Sequence, residues 1–145
     1  MRKIFLACAV FLACSGILYG YEVLNPVQEA LIARIEFNRL GNSNPDEREK
    51  LLKQIIAKSP DTEEAQAAYW DLAELYLAAF DEERRLDAEK TLEKFLERYP
   101  QSDWSLNFKL KLFELYDSKN PERAHLKKDI LNDKALPFML KSSLN

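Results

Sequence analysis

Residues 51–76 read LLKQIIAKSPDTEEAQAAYWDLAELY, and residues 91–116 read TLEKFLERYPQSDWSLNFKLKLFELY. At a shift of 40 positions, Leu52 falls on Leu92, Ile55 on Phe95, Ile56 on Leu96, Lys58 on Arg98 and Pro60 on Pro100. Beyond the prolines, Leu72 meets Leu112, Glu74 meets Glu114, Leu75 meets Leu115 and Tyr76 meets Tyr116. The matching residues are apolar at helical spacing, and each proline stops one helix before the next begins. Two helices in a period of roughly 35–45 residues mark a helical solenoid. The expected fold is therefore all-α.

Composition agrees with this. The chain has 145 residues, 47% of them hydrophobic and 31% charged, enough for one domain with a core. Glycines number only 3, and β-branched runs are missing, so a sheet-rich fold is not expected. Leaving out Arg2 and Lys3, 19 basic side chains face 24 acidic ones, a balance of −5. An acidic body without a basic stripe argues against nucleic acid as the partner.

Residues 1–20 read as a secretory signal peptide. Arg2 and Lys3 open it, Ile4 to Ala13 is apolar or small, and Ser15, Gly16 and Gly20 follow. Cleavage fits after Gly20 or Gly16, and the apolar run is short of the ~20 residues that span a bilayer. Both cysteines, Cys8 and Cys14, fall inside this segment, so residues 21–145 hold no disulfide framework. Phe11-Leu12-Ala13-Cys14 also resembles a bacterial lipobox, which implies Cys14 as a lipidation site, although Phe11 and Leu12 depart from the preferred pattern.

From Tyr21 onward the pattern gives six helices in three antiparallel pairs: 26–40 with 45–58, 62–79 with 83–98, and 103–117 with 121–132. Pro26 suits a first turn, and Val27, Ala30, Leu31, Ile35, Phe37 and Leu40 make the first apolar stripe. Gly41 is placed to end that helix in a left-handed conformation. Asn44-Pro45 and Asn120-Pro121 are cap-and-first-turn pairs. The fifth helix is expected to start at Ser102 or Asp103 and to bury Leu106, Leu110, Leu112, Phe113 and Tyr116, with Trp104 stapled over the preceding corner. The tail from Ala135 to Leu140 contains Pro137 and reads as a closing element.

Tyr69, Leu72, Ala73 and Tyr76, followed by Ala88, Leu92, Phe95 and Pro100, resemble a tetratricopeptide repeat in residue type and spacing. The likeness implies a right-handed α-solenoid of three helix pairs whose first helices line a concave groove. Behind this unit, Arg98-Tyr99-Pro100-Gln101-Ser102 after a signal sequence is similar to envelope tetratricopeptide lipoproteins of outer-membrane assembly and of the Tol–Pal accessory type. That resemblance implies an exported, periplasmic protein, anchored to a membrane only where Cys14 is lipidated. In the groove it places Trp70, Glu74, Leu77, Leu110 and Glu114. An apolar floor of Trp70, Leu77 and Leu110 beside acids suits a peptide carrying positive charge. Packing of Trp70 and Leu110 between repeats is the competing explanation.

Little catalytic chemistry is legible. His125 is the only histidine, and it sits on the polar part of a helix, so neither a His/Cys metal cluster nor a histidine-based triad can be assembled. No glycine-rich phosphate loop is present. Glu63, Glu64, Glu82, Glu83, Glu89, Glu93 and Glu97 sit at helix starts or beside Lys90, Lys94 and Arg98, which reads as ordinary i,i+4 pairing. The expectation is a monomeric, non-enzymatic protein-interaction module of the cell envelope, without cofactor or metal, whose partner is a protein or peptide. A self-associating structural protein joined through the Ala135–Leu140 tail is one alternative, and a cell-wall hydrolase using paired carboxylates is another.

Overall fold

The computed structural model describes residues 25–137 and Lys141. The signal segment at 1–20, with Cys8 and Cys14, and the tail positions 138–140 lie outside the described residues. Six helices follow in order: α1 Pro26–Leu40, α2 Pro45–Lys58, α3 Glu63–Leu77, α4 Glu82–Arg98, α5 Ser105–Leu115 and α6 Pro121–Asn132. Among the described residues there is no strand, so this part of the chain is all-α.

The helix starts have local causes. At α1 the Asn25 side chain accepts from the Gln28 N–H and the Gln28 side chain accepts from the Asn25 N–H, both at 2.9 Å, a reciprocal box that satisfies two otherwise orphaned donors. Asn44, Thr62, Asp81 and Asn120 cap α2, α3, α4 and α6 one way, each side chain accepting from a first-turn N–H. The start of α5 differs from the expected one. Ser102 caps nothing; its hydroxyl accepts from the Trp104 N–H at 3.2 Å and donates to the Gln66 side chain of α3, so the helix is delayed to Ser105. Gly41 has φ 56° but ψ −129°, outside the left-handed helical region that a simple cap would occupy.

Each helix packs on its neighbours in the chain, and α1 also touches α3. One crossing recurs. Arg34 of α1 is ion-paired with Asp71 of α3, and 40 residues on Glu74 of α3 meets Lys111 of α5 at 2.8 Å with the charges exchanged. The corners recur as well: Ser59, before Pro60, donates to the Pro26 carbonyl at 2.8 Å, and Tyr99, before Pro100, donates to the Pro60 carbonyl.

The core runs through Leu51, Leu52, Ile55, Tyr69, Leu72, Tyr76, Leu92, Phe95, Phe108 and Leu112. In α1 the inward face is Ala30, Ala33 and Phe37, while Val27, Leu31 and Ile35 are 58%, 52% and 59% exposed. Of the expected stripe, Ala30 and Phe37 face inward and Leu40 packs against the core, while Val27, Leu31 and Ile35 turn outward. Arg34 and Arg48 flank the Phe37 ring, at 5.4 and 4.8 Å, and small alanines let α1 approach its neighbours, which fixes its rotation. In α5 the buried aromatic is Phe108, which the expected stripe omitted; Leu106 and Leu110 are only half-buried. Leu136 is buried at the end of the described tail.

Burial ranks the side chains for a direct test. Phe95→Ala removes a ring with no exposure and is expected to cost about 3–5 kcal/mol, whereas Ile35→Ser stays within about 0.5 kcal/mol. Urea unfolding checks both, and a large loss at Ile35 would restore the inward stripe.

Candidate functional site

Between α3 and α5 lies an open recess of about 380 Å³ lined by Trp70, Trp104, Asn107, Leu110, Lys111 and Glu114. Trp70 is seated edge-on against Phe108, with centroids 5.3 Å apart and planes at 73°. Lys111 reaches across to Glu74 and lies 6.0 Å from the Trp70 ring, so its charge is held both by a carboxylate and by the aromatic face. Glu114 is exposed and makes no ion pair among the described residues. The recess therefore offers two indoles, one leucine and one uncommitted carboxylate.

Three residues expected in the groove, Trp70, Leu110 and Glu114, line this recess together. Glu74 stands at its rim in the pair with Lys111, and Leu77 packs against the core instead of lining the recess. Trp104 was expected as a staple over the preceding corner. It is 39% exposed and forms part of the wall. The signal that places it is Ser102, whose bonds to Gln66 and to the Trp104 N–H hold the turn against α3.

A second recess, of about 370 Å³, opens on another side of α3. Here α2 and α4 stand as walls, and Tyr69, Leu72 and Tyr76 of α3 form the floor. Lys53 and Ile56 contribute from α2, and Asp87, Lys90, Thr91 and Lys94 from α4. The i,i+4 pairing expected of the α4 glutamates is only partly present. Arg85 holds Glu82 at 3.0 Å and Glu89 at 2.8 Å, and Glu93 accepts the Tyr116 hydroxyl at 2.6 Å. The acids at 89 and 93 thereby turn toward α5, and Lys90 and Lys94 have no carboxylate partner among the described residues.

One end of this recess is tied by Glu49 of α2. Its carboxylate takes Lys53 at 2.5 Å, Arg84 of α4 at 2.8 Å and the Tyr76 hydroxyl of α3 at 3.0 Å. Burial pushes the carboxyl upward, but the bonds from Lys53, Arg84 and Tyr76 together outweigh it and hold it below the ordinary value near 4.5. Glu89 moves the other way: burial raises it, Arg85 opposes the rise, and Glu93 and Glu82 add to it. Burial, then the bond to Glu93, pushes the Tyr116 phenol well up. His125 is exposed on α6. Among the described residues no three His, Cys, Asp or Glu side chains converge as a metal site, and no helix is long and apolar enough to cross a membrane.

Comparison with family models, curated proteins and solved structures gives no match to this chain.

The Glu49 junction carries a pH dependence of definite sign. A carboxyl lowered on folding stabilises above its unfolded value and loses that contribution as pH falls through the folded one. Glu49→Gln is expected to cost about 1–3 kcal/mol at pH 7 and progressively less below about pH 4.5, read by urea titration at each pH. A cost independent of pH would show that the charge on Glu49 is not what joins the three helices.

Proposed function

We propose that this chain is a small exported right-handed α-solenoid of three tetratricopeptide-like helix pairs that docks a segment of a partner protein in a bacterial cell envelope. The stacking is supported by the ion pair that recurs 40 residues apart across α1–α3 and α3–α5, and by the matching proline corners. Tyr69, Leu72, Ala73 and Tyr76 are buried on α3, with Ala88, Leu92 and Phe95 on α4, as the repeat resemblance requires. Export rests on the composition of residues 1–20.

The observation that carries the binding reading is the recess in which Trp70, Trp104 and Leu110 stand beside Glu114. Trp70, anchored on the buried Phe108 ring, and the exposed Trp104 beside it give a large apolar contact area, the kind of surface that dominates binding energy. Glu114 adds a place for one cationic side chain. The ligand is a peptide segment with a large apolar residue next to a Lys or Arg, and no reaction is involved.

The chain contains 2 tryptophans, and both line this recess, so emission excited selectively at tryptophan reports on the site. Panning a random peptide library against the immobilised protein is expected to enrich apolar–basic pairs. The enriched peptides shift the tryptophan emission and bind about tenfold more weakly to Glu114→Lys. Enriched peptides that bind Trp104→Ala and Glu114→Lys as well as the unaltered protein would refute the assignment.

A further inference from the structure

The recess between α2 and α4 has a charge pattern that runs against the rest of the molecule. The chain is acidic overall, at −3, yet α4 carries Lys90, Lys94 and Arg98 as one column at i,i+4 spacing. Like charges so arranged weaken an isolated helix. A carboxylate at the same spacing would relieve this, and α4 has five glutamates available. Instead Glu89 and Glu93 are drawn to Arg85 and Tyr116 on the α5 side, and the cations face α2. Arg98 reaches Asp61 at 3.5 Å, and both members are largely exposed. Lys90 and Lys94 have no such partner among the described residues.

The surroundings of the two lysines are not plain solvent. Their recess has a floor of Tyr69, Leu72 and Tyr76, positions spaced i, i+3 and i+7 along one side of α3, so it extends for about 10 Å. Ile56 stands on the opposite wall. The Thr91 hydroxyl is committed to the Asp87 carbonyl at 2.7 Å and competes for nothing in the recess. At one end Glu49 is shared by Lys53 and Arg84, and Asp87 is the single carboxylate in the lining, against Lys53, Lys90 and Lys94. Lys90 and Lys94 stand over a floor of two tyrosines and a leucine, neither held in an ion pair among the described residues.

We propose that this recess is a second docking surface, of opposite charge preference to the first, and that it takes an extended acidic segment of a partner protein. Spacing selects an extended chain. Lys90 and Lys94 are separated along the α4 axis by about 6 Å, and alternate side chains of a strand are separated by about 6.6 Å. Carboxylates at alternating positions meet the two lysines in turn, and the residue between them points to the other wall, where Ile56 favours an apolar side chain. The recess at Trp70 and Trp104 lies on a different side of α3, so the two surfaces are independent and one protein can bridge two partners.

A fluorescein-labelled peptide with a Glu-Leu-Glu-Leu-Glu core, titrated with the protein and followed by anisotropy, tests the proposal. The peptide is expected to bind, and its Gln-for-Glu counterpart is not. Lys90→Glu with Lys94→Glu weakens binding about tenfold or more, because two exposed charge contacts are reversed. Lys90→Gln with Lys94→Gln gives a smaller loss. The same charge change at Lys128 and Lys134, exposed residues elsewhere on the surface, leaves the affinity as it was. All these side chains are exposed, and retained helix content by circular dichroism confirms that each variant is folded. The proposal is overturned if the acidic peptide does not bind, if both pairs of reversals weaken it equally, or if millimolar inorganic phosphate displaces it, which would make the recess a simple anion site.

Discussion

Phe95 of α4 and Phe108 of α5 lie face to face, ring centroids 3.5 Å apart and planes within 10° of parallel, with neither side chain exposed. Three further rings close on this pair. Tyr69 meets Phe95 edge-on at 5.9 Å, Tyr99 leans on Phe95 at 5.1 Å, and Trp70 meets Phe108 edge-on at 5.3 Å. Rings from α3, α4, α5 and the proline corner thus share one contact. Aromatic contacts of this kind are worth about 0.5–1.5 kcal/mol each beyond the area they bury. Because they cross three helices and a corner, they set how one helix pair sits on the next.

Both recesses follow from that placement. Trp70 is held on its inner edge by Phe108, which leaves its outer face for the α3–α5 recess. On another side of α3, Tyr69 is held by Phe95 and Tyr99 and Tyr76 by Glu49, so α2 and α4 stand apart across a tyrosine floor. One helix supplies a wall to the first recess and the floor of the second. The surrounding charges are sorted in part: Glu89 and Glu93 of α4 turn to α5, and Lys90 and Lys94 turn to α2 beside Asp87.

Much of this was legible in the sequence. The shift of 40 residues located the helices, and the proline corners located their ends. The tetratricopeptide resemblance groups Trp70, Leu110 and Glu114, and the three line one recess. What spacing could not give was rotation. Phe108 falls opposite Ala68 in the duplicated pattern and Lys109 opposite Tyr69, so the large ring of the second unit arrives one position early. The register of the duplication therefore points to Lys109, and the ring that is buried is Phe108. In α1 the same difficulty took another form, since Val27, Leu31 and Ile35 are as periodic as Ala30, Ala33 and Phe37, and only the arginines on Phe37 distinguish the two faces. The α4 lysines were misread because an acid close in sequence was taken as a partner, whereas Arg85 and Tyr116 claim those acids from across the helix and from α5.

Neither α1 nor α6 contributes a ring to this aromatic junction. Within α6, Ile130 is the one buried side chain, and α1 presents four large apolar residues that are more than 40% exposed. A structure organised on the aromatic junction should open from these ends inward. Native-state amide hydrogen exchange measures this directly. The account predicts the slowest exchange at Leu72, Leu92, Phe95 and Leu112, with α1 and α6 opening at lower free energy. Slowest exchange in α1 or α6, with the α3–α5 amides released first, would contradict it.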